Sequence, residues 1–106
     1  MKDIQFCGRS LGVLRGFPAV VKREVGYQLD RVQRGLEPTD WKPMTSIGAG
    51  VREIRIMHEG QYRVIYVVKF ADAVYVLHVF QKNTQKTRKQ GIDSAKQALE
   101  ELLNEA

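Results

Sequence analysis

The feature that most limits the fold is a run of alternating, β-branched and aromatic residues over positions 51–81, broken only where turn residues fall. Residues 51–57 alternate: Ile54 and Ile56 point one way, Glu53 and Arg55 the other. Glu59-Gly60 marks a turn, residues 62–70 resume the pattern, Ala71-Asp72 marks a second turn, and residues 73–81 return. Two consecutive hairpins make an antiparallel meander. A one-residue slip would send the wrong face inward, so polarity fixes the register. With Arg55 opposite Arg63, Ile54, Ile56, Tyr62, Val64, Tyr66 and Val68 share one face. With Phe70 opposite Ala73, that face gains Tyr75, Leu77 and Val79. The other face then carries Glu53, Arg55, Arg63, His78 and Phe80, close to Lys82. This register requires a three-residue loop or a bulge at 58–60.

The flanking segments read as helices that cover such a sheet. Residues 4–6 suit a short strand, and Ser10 suits the cap of a helical turn over 11–15. Pro18 fits a helix start, Val21, Val25, Leu29 and Val32 follow at helical spacing, and Gly35 stands where a left-handed C-cap belongs. The spacing predicts a helix over 18–34. Residues 36–50, with Pro38, Pro43, Gly48 and Gly50, read as a loop pinned by Trp41 and Met44. Thr87 and Gln90 have capping-box spacing, and Ile92, Ala95, Leu99 and Leu102 form the stripe of a last helix. The fold class is α+β, and 106 residues suffice for a single domain over 1–106.

Composition narrows the functional classes. Apolar residues at 43% and charged residues at 27% exclude a disordered chain. The lone Cys7 can form no internal disulfide and has no activating or metal-binding motif beside it; a reducing, cytoplasmic setting is expected. The N-terminal residues lack the apolar run of a signal peptide, and no stretch has the length of a membrane span, so no membrane partner is expected. Neither a glycine-rich phosphate loop nor a metal-ligand cluster is present, and no cofactor or metal is expected.

The net charge of +5 is concentrated late in the chain, where Lys82, Lys86, Arg88 and Lys89 follow one another without an intervening acid. Arg52, Arg55 and Arg63 lie within the strands. Like charges facing each other across a sheet cost stability, so Arg55 opposite Arg63 points to an absent anion. Phosphate is the natural one, and RNA the natural polyanion. Arginine clamps two phosphate oxygens, whereas lysine acts as a point charge. Preorganised cations of this kind either hold an RNA backbone or also stabilise the charge that builds when a 2′-hydroxyl attacks the adjacent phosphorus. Glu53 is either the base that accepts the hydroxyl proton or an ion-pair partner that holds Arg55. His78 is either a group titrating near neutrality or a packed strand histidine. Phe80 either stacks on a base or caps the core.

The runs Gly50-Val51-Arg52-Glu53-Ile54-Arg55, Tyr62-Arg63-Val64-Ile65-Tyr66, Lys69-Phe70 and Val74 through Thr87 resemble the HigB-like branch of the RelE toxin superfamily, proteins often labelled phage-derived. Phe17-Pro18 through Gly35 and Trp41-Lys42-Pro43-Met44 extend the resemblance over nearly the whole chain, and the block from Phe80-Gln81-Lys82 to Lys86-Thr87 is its most specific part. The resemblance implies a RelE-like microdomain, a twisted antiparallel sheet with two N-terminal helices and a C-terminal one. It implies a toxin that cleaves mRNA on the ribosome and a helix-turn-helix antitoxin partner. It gives Arg55 a phosphate contact, Arg63 the stabilisation of charge on the scissile phosphate, and Lys82 the role of base. The chain departs from the pattern at Asn83, where related toxins place an arginine, and at Glu53, where some have a lysine; no tyrosine follows the final strand. Asn83 and the absent tyrosine favour a rival reading, a module that binds RNA or an acidic protein without cutting; a third reading is a phage-encoded inhibitor of a host enzyme.

Overall fold

The first hairpin has the register that polarity demands. In the computed structural model, which describes residues 1–69 and 73–105, Arg55 pairs with Arg63 and Met57 with Gln61 across a loop of His58, Glu59 and Gly60. Glu59 (φ 49°) and Gly60 (φ 152°) make this reversal possible. The strands are β3 (Arg52–Met57), β4 (Gln61–Lys69) and β5 (Ala73–Lys82). Two edge strands extend the meander, β1 (Asp3–Phe6) and β2 (Trp41–Pro43), giving the order β1-β5-β4-β3-β2. β1 joins β5 in parallel and every other pairing is antiparallel. β2 lies inside the segment expected to be loop; Trp41 and Lys42 pair with Ile54 and Glu53, and Pro43 is tolerated because the strand is an edge.

The second hairpin departs from expectation. Val64 pairs with Val79 and Ile65 with His78, but Tyr66 pairs with Val76, so Leu77 is an extra residue in a β-bulge. Two residues opposite one invert the alternation of everything upstream. Val74, Val76 and Val79 therefore share a face, while Tyr75 and Leu77, expected beside Val79, turn to the other. Ala73 lies opposite Lys69; the expected partner Phe70 and the Ala71-Asp72 turn fall outside the described residues.

Both faces of the sheet are consequently apolar. On one, α2 (Ala19–Gln33) lays Val21, Val25, Leu29 and Val32 against Ile54, Ile56, Val64, Tyr66, Val74 and Val76. The helix starts just after Pro18 and stops at Gly35 (φ 81°), as its sequence requires. The short α1 (Ser10–Arg15) adds Val13 and Leu14. Ser10 does not cap it; the residue is buried, and its hydroxyl donates to the Val76 carbonyl at 3.4 Å.

On the second face α3 (Gln85–Glu105) covers Ile65, Val67, Leu77 and Phe80 with Ala95, Ala98, Leu99 and Leu102. This face was expected to carry Glu53, Arg55, Arg63, His78 and Phe80, but only its corner is polar. The sign was present in Val64-Ile65-Tyr66-Val67, buried without interruption as in a strand covered on both sides. α3 also begins earlier than Thr87: the Thr84 hydroxyl accepts the Thr87 N–H at 3.1 Å, which places Lys86, Arg88 and Lys89 in the opening turns of the helix.

Candidate phosphate-binding corner

The polar corner is the end of the second face that α3 leaves uncovered. Parity directs Glu53, Arg55, Gln61, Arg63 and Lys82 to this side, and the start of α3 brings Arg88. Arg63 is at the centre and only 8% exposed. Its terminal nitrogens donate to the Tyr62 carbonyl at 3.1 Å and to Gln61 Oε1 at 2.8 Å. Its Nε stands 3.6 Å from Glu53 Oε1. Burial pushes the Arg63 guanidinium down from its usual value; Glu53 opposes this, while the nearby Arg55 and Arg88 reinforce it. The group still carries its charge at any physiological pH.

Arg55 is held by a different acid from the one expected. Its Nε and a terminal nitrogen both donate to Asp40 Oδ1, at 3.0 and 2.7 Å, just before β2. The Arg55 backbone N–H also donates to the Asp40 carbonyl at 2.9 Å, so side chain and main chain fix one corner together. Glu53 instead lies beneath Arg63, fully buried, with Lys42 Nζ 3.9 Å from the same oxygen. That burial rules it out as a base in contact with substrate. Asp40 and Lys42 escaped the sequence reading because β2, which Asp40 precedes and Lys42 occupies, is three residues long and surrounded by loop residues. The one local cue was Trp41, an aromatic flanked by charges.

The other candidates divide. Lys82 pairs with Gln61, two residues along β5 from the position opposite Arg63, or about 7 Å further on. Lys86 is exposed, and the exposed Lys89 pairs with Asp93 at 3.2 Å along the helix. Phe80 is 6% exposed and lies under Gly91, where a Cβ would come within 2.5 Å of the ring. Its ring is therefore occupied by the core and unavailable to stack on a base. His78 stacks on Phe80 (centroids 6.2 Å, 18°) but lines a cavity of about 280 Å³ with Arg9, Ser94, Gln97 and Glu101. Burial and Arg9 lower its pKa. Arg52 lies on the opposite face, because it differs in parity from Arg55. It stacks on Trp41 at 4.0 Å and pairs with Glu37 at 3.9 Å. Cys7 is half-buried; burial, then Glu105 and Glu101, raise its thiol pKa, as befits an inert residue. Among the described residues, no group of three His, Cys, Asp or Glu could hold a metal, and no helix is long and apolar enough to cross a membrane.

A mixed five-stranded sheet with helices on both faces defines an α+β protein with a RelE-like fold. The fold is similar to the crystal structure of the isolated E. coli RelE toxin, P21 form, with a TM-score of 0.62 over 88% of this chain and 97% of that one, at 18% identity. Residues 13–100 match the model of the family described as phage derived protein Gp49-like (DUF891), and the chain belongs to that family. No curated protein is a significant match.

Proposed function

We propose that the protein is the toxin of a toxin–antitoxin pair and cleaves mRNA on the ribosome, holding the scissile phosphate at the corner of Arg55, Arg63 and Arg88. The observation that carries this reading is Arg63, a nearly enclosed guanidinium flanked by two more cations. The start of α3 adds to the imbalance. Its first turn contains no acid, so basic side chains stand at the positive end of the helix dipole. A bound phosphate would relieve both repulsions.

In the reaction the 2′-oxygen forms a bond to phosphorus and the bond to the 5′-oxygen breaks, leaving a cyclic phosphate. Arg55 orients the phosphoryl oxygens and Arg63 stabilises the charge that develops on them. Lys82, as the neutral amine, takes the 2′-hydroxyl proton, the role its resemblance to related toxins gives it; the departing 5′-oxygen takes a proton from water, and the ribosome aligns the mRNA. The corresponding partner is a helix-turn-helix antitoxin, and both act in the cytoplasm. No metal or cofactor enters the reaction as proposed.

Expression without an antitoxin tests the reading. Growth arrest with cleaved mRNA is expected, relieved by Arg55→Ala and by Arg63→Lys, each in folded, soluble protein. Undisturbed growth with intact mRNA would reject it. The burial of Glu53 beneath Arg63 and the packing of His78 against Phe80 favour one rival, a module that binds RNA without cutting. Binding retained on a filter, with no cleavage in a translation extract, would select that rival.

A further inference from the structure

We propose that Glu53 is a positioning residue for Arg63, acting by charge instead of hydrogen bonding; the inference rests on the phosphate-handling reading above. Glu53 is fully buried, and neither carboxylate oxygen accepts a hydrogen bond among the described residues. Buried carboxylates ordinarily gather such bonds, since an unsatisfied one keeps the full penalty of leaving water. Here the compensation is two cations at a distance, Arg63 Nε at 3.6 Å and Lys42 Nζ at 3.9 Å. The Arg63 guanidinium is thus confined from three directions: the Tyr62 carbonyl, the Gln61 amide oxygen and the Glu53 charge.

Two consequences follow, and they are of opposite sign. Glu53 supplies the counter-charge that lets Arg55, Arg63 and Arg88 stay together while the corner is empty. It also competes with phosphate for Arg63. Removing its charge while keeping its shape should therefore strengthen phosphate binding and weaken catalysis, because Arg63 is freed and loses its orientation. A residue that merely supported the fold would move both in the same direction.

The test is Glu53→Gln, with three measurements. Affinity for a non-cleavable 2′-O-methyl oligoribonucleotide is expected to rise, with a steeper salt dependence as one more cation becomes available to phosphate. Ribosome-dependent cleavage is expected to slow about tenfold or more. The Arg63 Nε–H resonance should lose its protection from exchange while the backbone amide spectrum stays in place. Glu53→Asp, which keeps the charge, should return the affinity to the wild-type level and recover part of the rate. Affinity and rate falling together with the Nε–H resonance unmoved, or no change in any readout, would overturn the proposal. If Glu53→Gln fails to fold, Lys42→Met removes the competing cation. Stronger protection of Arg63 Nε–H would then support the proposal, and an unchanged resonance would overturn it. A wild-type protein that cuts no RNA defeats the functional reading alone, since the affinity and resonance measurements still decide the part played by Glu53.

Discussion

The two faces of the sheet treat buried polarity in opposite ways. On the side of α1 and α2 the buried Ser10 and Gln28 are both satisfied: Ser10 donates to Val76, and Gln28 donates to Glu24 and Thr39 and accepts the Thr39 N–H. On the side of α3 the buried polar pair is Glu53 and Arg63, and the carboxylate has no hydrogen bond. The first face is built for stability. The second gives up stability at one end, where unfavourable electrostatics are concentrated and where phosphate chemistry would use them.

Mutations can break that contrast. The largest effect is expected from Arg63→Ala, which leaves Glu53 buried without its nearer cation and should cost about 3–5 kcal/mol of stability by denaturant unfolding. Glu53→Gln in the same chain should restore most of the loss, and failure to do so would show that the pair is not the weak point. On the satisfied face, Leu29→Ala should cost about 2–5 kcal/mol through the cavity it leaves, with cleavage per folded molecule unchanged. Gly91→Ala is next. Its Cβ would meet the Phe80 ring at 2.5 Å, so the start of α3 must lift and carry Arg88 with it. A loss of about 1–3 kcal/mol and weaker oligonucleotide binding are expected.

The pH dependence gives a smaller effect. His78 has a pKa below the ordinary 6.5, so the unfolded chain binds its proton more readily than the folded one. Its contribution is complete above about 6.5 and is lost as pH falls toward the lowered folded value. His78→Gln should flatten the fall in melting temperature between neutral and mildly acidic pH, without altering cleavage at neutral pH. The smallest effect belongs to Asp40→Asn. The Arg55 ion pair is largely exposed and should be worth about 0–1 kcal/mol, but releasing Arg55 should raise oligonucleotide affinity.

Much of this was legible in the sequence, and what was not has identifiable causes. The Arg55–Arg63 register followed from polarity, because a one-residue slip would have turned the arginines to the face that α2 covers. α2 declared itself through Val21, Val25, Leu29 and Val32 together with Pro18 and Gly35. The Leu77 bulge left no local signature, since Val74 to Val79 is β-forming at nearly every position; the face assignments of Tyr75 and Leu77 therefore failed. Glu53 was expected either as a base or as the partner of Arg55, and its burial beneath Arg63 beside Lys42 was not legible, because Lys42 comes from a separate strand. Phe80 shows the same limit: only the approach of Gly91 decides between stacking platform and core.

The bulge at Leu77 changes the phase of β5: Val74 and Val76 before it and Val79 after it face α2, while Leu77 and Phe80 face α3. A deletion of Leu77 would rotate Phe80 and Lys82 to the far side of the sheet while leaving the hairpin length almost unchanged. Beyond the bulge Val79 and Phe80 stay committed to α2 and α3, and Lys82 alone can be substituted to retune the corner without repacking a helix, so one strand provides a fixed frame and an adjustable working edge.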